Sequence, residues 1–469
     1  MSAVAAPPPP PAPDDLAARA QAGRDVRARL PRSSLGRWEA SPSRRDPVAI
    51  LADQEASRVP ELVPVRHERM AASPFAFFRG AAAVFAADLA SRDHTGLTVQ
   101  LCGDAHLANF GAFASPERTL VFDLNDFDET LPGPFEWDLA RLAASVEVAA
   151  RANGHDPEER EATQQVLTRS YATAMAELAG TGHLDVWYSR LSLDEAVSSL
   201  DAVASPAVRA RVQRALRKAR GKDNLRAFDK LITTVDGEPR FVSDPPLLVR
   251  AEELLPGMEH VDQKAFVAHA LEAYGRTLSP ERRILLHRYR FVDLARKVVG
   301  VGSVGTRCWV ALLMGRDETD PLLLQVKEAE ASVLEAHLGP SACAQHGQRV
   351  VEGQKLVQSA SDVLLGWERL ETPDGATHDF YFRQLWDWKG SAAVDDMDPT
   401  LLGGYAHMCG RTLARAHART GDPVAISAYV GRGGSMARAM ARFASDYADQ
   451  NARDHADFVA RVTGAPPAA

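Results

Sequence analysis

Leu101-Cys-Gly-Asp-Ala-His-Leu-Ala-Asn-Phe-Gly111 and, a short way on, Val121-Phe-Asp-Leu-Asn-Asp-Phe-Asp-Glu129 carry most of the meaning in this chain. Just ahead, Leu97-Thr-Val-Gln-Leu101 alternates apolar and polar residues, the period of a strand. The Gly-Asp-x-His-x-x-Asn pattern therefore sits in the loop behind a strand, with Asp104 and Asn109 on it. A second strand, Thr119–Leu124, delivers Asp123. Between Thr119 and Ala140 lie six carboxylates (Asp123, Asp126, Asp128, Glu129, Glu136, Asp138) and no Lys or Arg. Acids this close repel one another unless a cation gathers them, and Mg²⁺ prefers hard oxygen ligands. A solvated acidic turn is the ordinary alternative. Here Val121, Phe122, Leu124 and Phe127 interleave with the acids, so the acids are expected at the edge of a core, around a metal.

Outward from this centre the texture changes. Residues 46–93 have a helical pattern, and 136–278 read as mostly helical. Val298-Val-Gly-Val-Gly-Ser-Val-Gly-Thr-Arg-Cys-Trp309 sets Gly300, Gly302 and Gly305 between β-branched runs. Without a Cβ, backbone amides there can approach phosphate oxygens. Leu322-Leu-Leu-Gln-Val-Lys327 reads as a strand, 349–367 has helical spacing, and Phe380–Trp386 is a further strand. Residues 401–419 form an amphipathic helix with Leu402, Tyr405, Cys409, Leu413 and Ala416 on one face.

Composition narrows the class. The 469 residues are 45% hydrophobic and 25% charged, a mix that can bury a large core. With 54 Lys+Arg against 62 Asp+Glu the formal charge is −8. That balance argues against bulk binding to nucleic acid or an anionic membrane. No apolar run approaches the roughly 18 residues of a membrane span. The opening, Met1-Ser-Ala-Val-Ala-Ala followed by prolines, has neither the basic nor the apolar region of a secretory signal. Cys102, Cys308, Cys343 and Cys409 lie far apart, so neither a zinc site nor a disulfide framework is expected. A soluble, reduced, cytoplasmic protein is the expectation. Seven Lys/Arg and no acid fall between Arg209 and Lys222. Without aromatic residues this reads as a solvated face, or as an attractor for an anionic small-molecule substrate.

The loop resembles the catalytic apparatus of the protein-kinase-like fold in its aminoglycoside-phosphotransferase form, H-G-D-x-H-x-x-N followed by a hydrophobic strand ending in I-D-F or similar. By that resemblance Asp104 falls on the catalytic aspartate, His106 on the second histidine, Asn109 on the metal-binding asparagine and Asp123 on the metal-binding aspartate. Asp126 and Asp128 are extra acids able to share the metal. Trp137-Asp-Leu-Ala-Arg-Leu142 resembles the helix whose aspartate braces the loop, which makes Asp138 the brace. Cys102 departs from the family's first histidine. Gly300, Gly302 and Gly305 would cover the phosphates, and Lys327 resembles the strand lysine of V-A-I-K. Glu352 would be its ion-pair partner, with Glu328 and Glu335 as weaker alternatives. A strand lysine facing a cleft carries little packing, so Lys327→Ala is expected to leave the fold intact.

These pieces come in an unusual order. The implied fold is α+β, kinase-like and two-lobed but circularly permuted: a disordered tail at 1–14, a helical large lobe with the catalytic loops at 15–282, a β-rich small lobe at 283–395, and helices at 396–460 that complete the large lobe. Termini that lie close together make such rewiring tolerable. Ser73-Pro-Phe-Ala-Phe-Phe-Arg-Gly80, Glu136-Trp-Asp-Leu-Ala-Arg-Leu142, Gln325-Val-Lys-Glu-Ala329 and Arg383-Gln-Leu-Trp-Asp-Trp-Lys-Gly390 also resemble the bacterial family catalogued as domain of unknown function 2252, over about residues 25–455. The expected activity is transfer of a phosphoryl group from ATP, with Mg²⁺, to a small hydroxylated molecule, with no nucleic-acid or membrane partner. AMP transfer and non-catalytic nucleotide binding are rivals on the same fold. A metallophosphoesterase fits Asp104-Ala-His106, but lacks its later G-D-x-x-D and G-N-H segments here and has no use for Lys327.

Overall fold

Four helices, Pro47–Glu55, Val63–Ala71, Pro74–Gly80 and Ala82–Ala90, fill the first stretch of helical pattern. Their starts are written locally. Asp46 caps Val48 N and Ser73 caps Ala76 N, each ahead of a proline whose missing N–H is no loss in the first turn. The computed structural model describes residues 15–193, 206–221, 223–254, 260–372, 375–385, 388 and 390–463. The Pro/Ala-rich ends at 1–14 and 464–469, Lys222 and Lys389 lie outside them.

Strands β1 (Thr98–Leu101) and β4 (Leu131–Pro134) pair antiparallel and bracket the candidate loops. Between them, β2 (Phe110–Ala114) and β3 (Leu120–Leu124) form a hairpin, flanked by β5 (Leu191–Ser192) and β14 (Gly390–Ser391) in the order β14-β2-β3-β5. A third pair, β6 (Ile232–Val235) with β7 (Glu238–Phe241), is a separate hairpin.

The largest sheet is antiparallel throughout: β8 (Leu248–Arg250), β9 (Arg290–Lys297), β10 (Cys308–Met314), β11 (Pro321–Ala329), β12 (Gly366–Glu371) and β13 (Thr377–Gln384), ordered β12-β13-β11-β10-β9-β8. Its middle strands are apolar without alternation because both faces are covered. Val310, Leu312 and Met314 join one core cluster, and Ala311 and Leu313 join another. On the second face Tyr274 stacks on Phe382 with ring centroids 4.2 Å apart.

The helical body packs Phe135–Ala152, Pro157–Ala179, Pro399–Thr420 and Gly434–Thr463 together, so helices from the chain's end close around elements from its first third. The expected amphipathic face is buried at Leu402, Tyr405, Cys409, Leu413 and Ala416. The overall class is thus mixed α+β. Among the described residues no helix is long and apolar enough to cross a membrane.

Local pattern misled in two places. The helical spacing at 349–367 covers a helix only over His346–Val357, and Trp367 lies in β12. The 136–278 stretch holds β5, β6, β7 and β8 besides its helices. β8 is too short to announce itself, and only its pairing with β9 makes it a strand. Residues 283–395 also feed two sheets, because β14 pairs with β2.

Candidate functional site

The Gly-Asp-x-His-x-x-Asn loop is held by the helix that follows it. Asp138, in the first turn of Phe135–Ala152, accepts hydrogen bonds from Cys102 N at 2.8 Å and Gly103 N at 3.1 Å. His417 Nε2 lies 3.4 Å from the same carboxylate, and the Tyr171 hydroxyl meets His417 Nδ1 at 2.9 Å. This agrees with the bracing role expected of Asp138. Gly103 has φ +85°, and a Cβ there would come within 2.1 Å of Glu129 O, so only glycine fits the turn.

Beyond the brace, Asp104 is turned toward a cavity. Its Oδ1 accepts from Arg141 Nε at 2.8 Å, and His106 Nε2 lies 3.6 Å from Oδ2. Burial raises the Asp104 pKa above the usual carboxylate value, against the pull of Arg141 and Arg79. Burial, with the charges of Arg79 and Arg141, holds His106 neutral, well below its ordinary pKa. Asn109 Nδ2 donates to Asp104 O at 2.8 Å, which fixes the amide within the loop.

Asp123 is elsewhere. It is fully buried, with Oδ1 on Arg415 at 2.5 Å and Oδ2 accepting from Ser359 N and Oγ, both at 2.9 Å. Its oxygens are spent on tying β3 to the Pro399–Thr420 helix and the 358–362 turn, so it is withdrawn from the metal ligands. Asp126 and Asp128, on the turn after β3, face the cavity instead. Burial and the neighbouring Asp128 raise the Asp126 pKa. Burial would raise Asp128 as well, but Lys327 wins and holds it below the usual value.

Lys327, near the end of β11 and 2% exposed, pairs with Asp128 Oδ2. Burial opposes its charge, yet Asp128, Tyr381 and Asp126 keep its pKa well above the ordinary lysine value. The Tyr381 hydroxyl donates to Asp128 Oδ1 at 2.9 Å, and Ser303 Oγ from the glycine turn lies 3.3 Å from Oδ2. Glu352 is not the lysine's partner: its carboxylate takes Gln348 Nε2 at 2.7 Å on its own helix. Glu328 pairs with Arg307 and His378, and Glu335 with Arg349 and His346. Helix phase and strand pairing decide this.

One cavity of about 430 Å³ gathers Asp104, His106, Asn109, Asp126, Asp128, Gly300 and Gly302 along its walls. Gly305 lies behind it, against the Arg58 side chain. Among the described residues no three His, Cys, Asp or Glu side chains converge on a metal position. Asn109 and Asp126 nevertheless both line the cavity and offer hard oxygens. Such a pair suits Mg²⁺ that takes its remaining ligands from phosphate and water.

Residues 58–461 match the family described as an uncharacterized protein conserved in bacteria, DUF2252. The chain belongs to the DUF2252 family. No curated protein and no solved structure matches it.

Sequence reasoning missed the basic side of this DUF2252 cavity. Arg58 and Arg79 line it, and Arg141 holds Asp104. Arg79 lies in the Ser73–Gly80 motif and Arg141 in Trp137–Leu142, so both lay inside segments already singled out. Neither carried a role, because nothing local says which way an arginine on a helix will turn. On the basic helix at Pro206–Arg220, Arg214, Arg217 and Lys218 are exposed and do not line the cavity.

Proposed function

We propose that this protein is an ATP- and Mg²⁺-dependent phosphotransferase of kinase-like, circularly permuted design, acting on a small hydroxylated molecule. The observation that carries the reading is one cavity fed by segments some 200 residues apart in sequence. The Gly-Asp-x-His-x-x-Asn loop and the acidic turn form one side, and the glycine turn between β9 and β10 forms another. The strand lysine is seated on the acidic turn. Two further features support it: a helix aspartate that accepts the two backbone N–H groups ahead of Asp104, and a helix, His346–Val357, packed on the lysine's sheet.

In this reading Asp104 orients the acceptor hydroxyl and takes its proton, and the raised pKa makes it a better base than an exposed aspartate. Arg141 and Asn109 keep it aimed. Asn109 and Asp126 hold Mg²⁺, which when bound neutralises charge on the phosphate oxygens. Gly300 and Gly302 cover the phosphates. Lys327 would take phosphate oxygens in place of Asp128, whose carboxylate could then also hold the metal.

Asp104→Asn tests the proposal. It preserves size and removes the proton acceptor, so turnover should fall by about 10²–10⁴ while ATP·Mg²⁺ affinity survives. A screen of ATP and Mg²⁺ against pooled hydroxylated metabolites supplies the assay. An ATP·Mg²⁺ affinity too weak to detect in the wild type would end the reading.

A further inference from the structure

Seven arginines among the described residues are buried: Arg19, Arg58, Arg66, Arg141, Arg296, Arg349 and Arg415. All but Arg58 stand within 3.6 Å of a carboxylate oxygen. Arg58 is 7% exposed, its Nη1 donates to Val304 O, and its Nε finds no partner. Arg79 enters the same cavity from the end of Pro74–Gly80, and its buried Nε is also unpartnered. His106 Nδ1, in a residue only 4% exposed, is likewise without a partner.

A buried guanidinium without a counter-ion is costly, and arginine cannot escape by giving up its proton at neutral pH. Burial works against the charge on both Arg58 and Arg79. The cavity's acids do not cancel them. Asp104 is committed to Arg141, Asp128 to Lys327 and Glu328 to Arg307, the Glu129 carboxylate accepts from Val333 N at 2.7 Å, and among the described residues no ion pair joins Asp126 or Glu330 to either arginine. Glu330, Glu129 and Glu55 act on Arg58 without reaching ion-pair distance.

We propose that Arg58 and Arg79 form an oxyanion site in this cavity, which binds a phosphate or carboxylate group of the ligand. The site touches both halves of the proposed chemistry. Arg58 packs on Gly305 and Arg79 O lies against Gly302, beside the glycine turn, while Arg79 acts on Asp104 and Asp126. The anion therefore belongs either to the nucleotide's phosphates or to an acceptor that is itself phosphorylated or carboxylated. The inference rests on the phosphotransferase reading only for which molecule supplies the anion.

Thermal stability of the full chain, titrated with inorganic phosphate at constant ionic strength, tests it. The wild type should show saturable stabilisation. In Arg58→Gln and Arg79→Gln the half-saturating concentration should rise about ten- to a hundred-fold, the effect of losing one charge-assisted hydrogen bond. Arg58→Gln removes an uncompensated charge and should melt no lower than the wild type without ligand, and the less buried Arg79→Gln is an independent check. Repeating the titration with ATP·Mg²⁺ already saturating separates the sources. Persisting stabilisation assigns the anion to the acceptor, and its disappearance assigns it to the nucleotide. Stabilisation by phosphate but none by ATP·Mg²⁺ would retain the oxyanion site and reject the phosphotransferase. An absent phosphate response, or one equal in all three proteins, would overturn the site even if ATP binds.

Discussion

Lys327→Met puts the buried ion pair to the sharpest test. The substitution keeps the length and the apolar stem but removes the ammonium, leaving Asp126 and Asp128 facing each other at the cavity wall. Lys327 is 2% exposed and the Asp128 side chain 26% exposed, so part of Asp128 can still reach water. Removing one partner of a buried pair costs roughly 3–5 kcal/mol, and the partial exposure of Asp128 puts the expected loss at the lower end, about 3 kcal/mol. Against a typical total of about 5–15 kcal/mol that is a large fraction. It also reverses the expectation from sequence that losing this lysine leaves the fold untouched. Urea denaturation of the wild type, Lys327→Met, Asp128→Leu and the double variant measures it. The double variant should recover to within about 1 kcal/mol of the wild type, because both charges leave together. The pH dependence has a definite sign. Asp128 has a lowered folded-state pKa in the wild type, so the pair's contribution is present above the unfolded carboxylate value and lost as pH falls toward the folded one. The gap between wild type and Lys327→Met should therefore shrink on acidification below about pH 5. A Lys327→Met protein within about 0.5 kcal/mol of the wild type at pH 7.5, with no pH-dependent gap, would refute the reasoning.

Asp138→Ala leaves Cys102 N and Gly103 N without their acceptor and should cost about 2–4 kcal/mol. Amide exchange at these two positions should accelerate with it, and unchanged exchange would count against the brace. Gly103→Ala must push a Cβ into Glu129 O at a positive φ, so its destabilisation should exceed the roughly 1–2 kcal/mol of left-handed backbone alone, read from denaturation midpoints. Glu129, pushed up to about 7 from 4.5 mainly by burial, favours the folded state most below the unfolded pKa and loses that advantage as pH rises through 7. Glu129→Gln should flatten this slope and stabilise the protein at pH 8 by up to roughly 3 kcal/mol, and a slope that persists would place the titration elsewhere.

Much of the site was legible because its signals are local. A strand, a turn that only glycine fits, and an aspartate in the first turn of the next helix are properties of short segments. Alternation predicted β1 and the loop behind it, and the resemblance of Trp137–Leu142 to a bracing helix pointed to Asp138. Alternation and apolar runs likewise announced β3, β11 and β13. The first error came where one strand residue changes which side a carboxylate faces. Asp123 and Asp126 are both acids after a hydrophobic run, but Asp123 lies on β3, turned toward Arg415, and Asp126 lies beyond its end.

Residue types and short-range periodicity therefore determined which chemistry is available: acids, a glycine turn, a strand lysine, and helices to carry them. Pairing was decided only in three dimensions. Lys327 had three glutamates within a short stretch of chain, yet it took Asp128 from 199 residues away, because β11 and the turn after β3 meet across the cavity. Arg58 and Arg79 became cavity residues by the same route, through a bend after the Pro47–Glu55 helix and the end of the Pro74–Gly80 helix, both docked onto a glycine turn more than 200 residues downstream. A side chain's period follows from its own backbone, whereas its partner follows from how distant segments bury their apolar faces together.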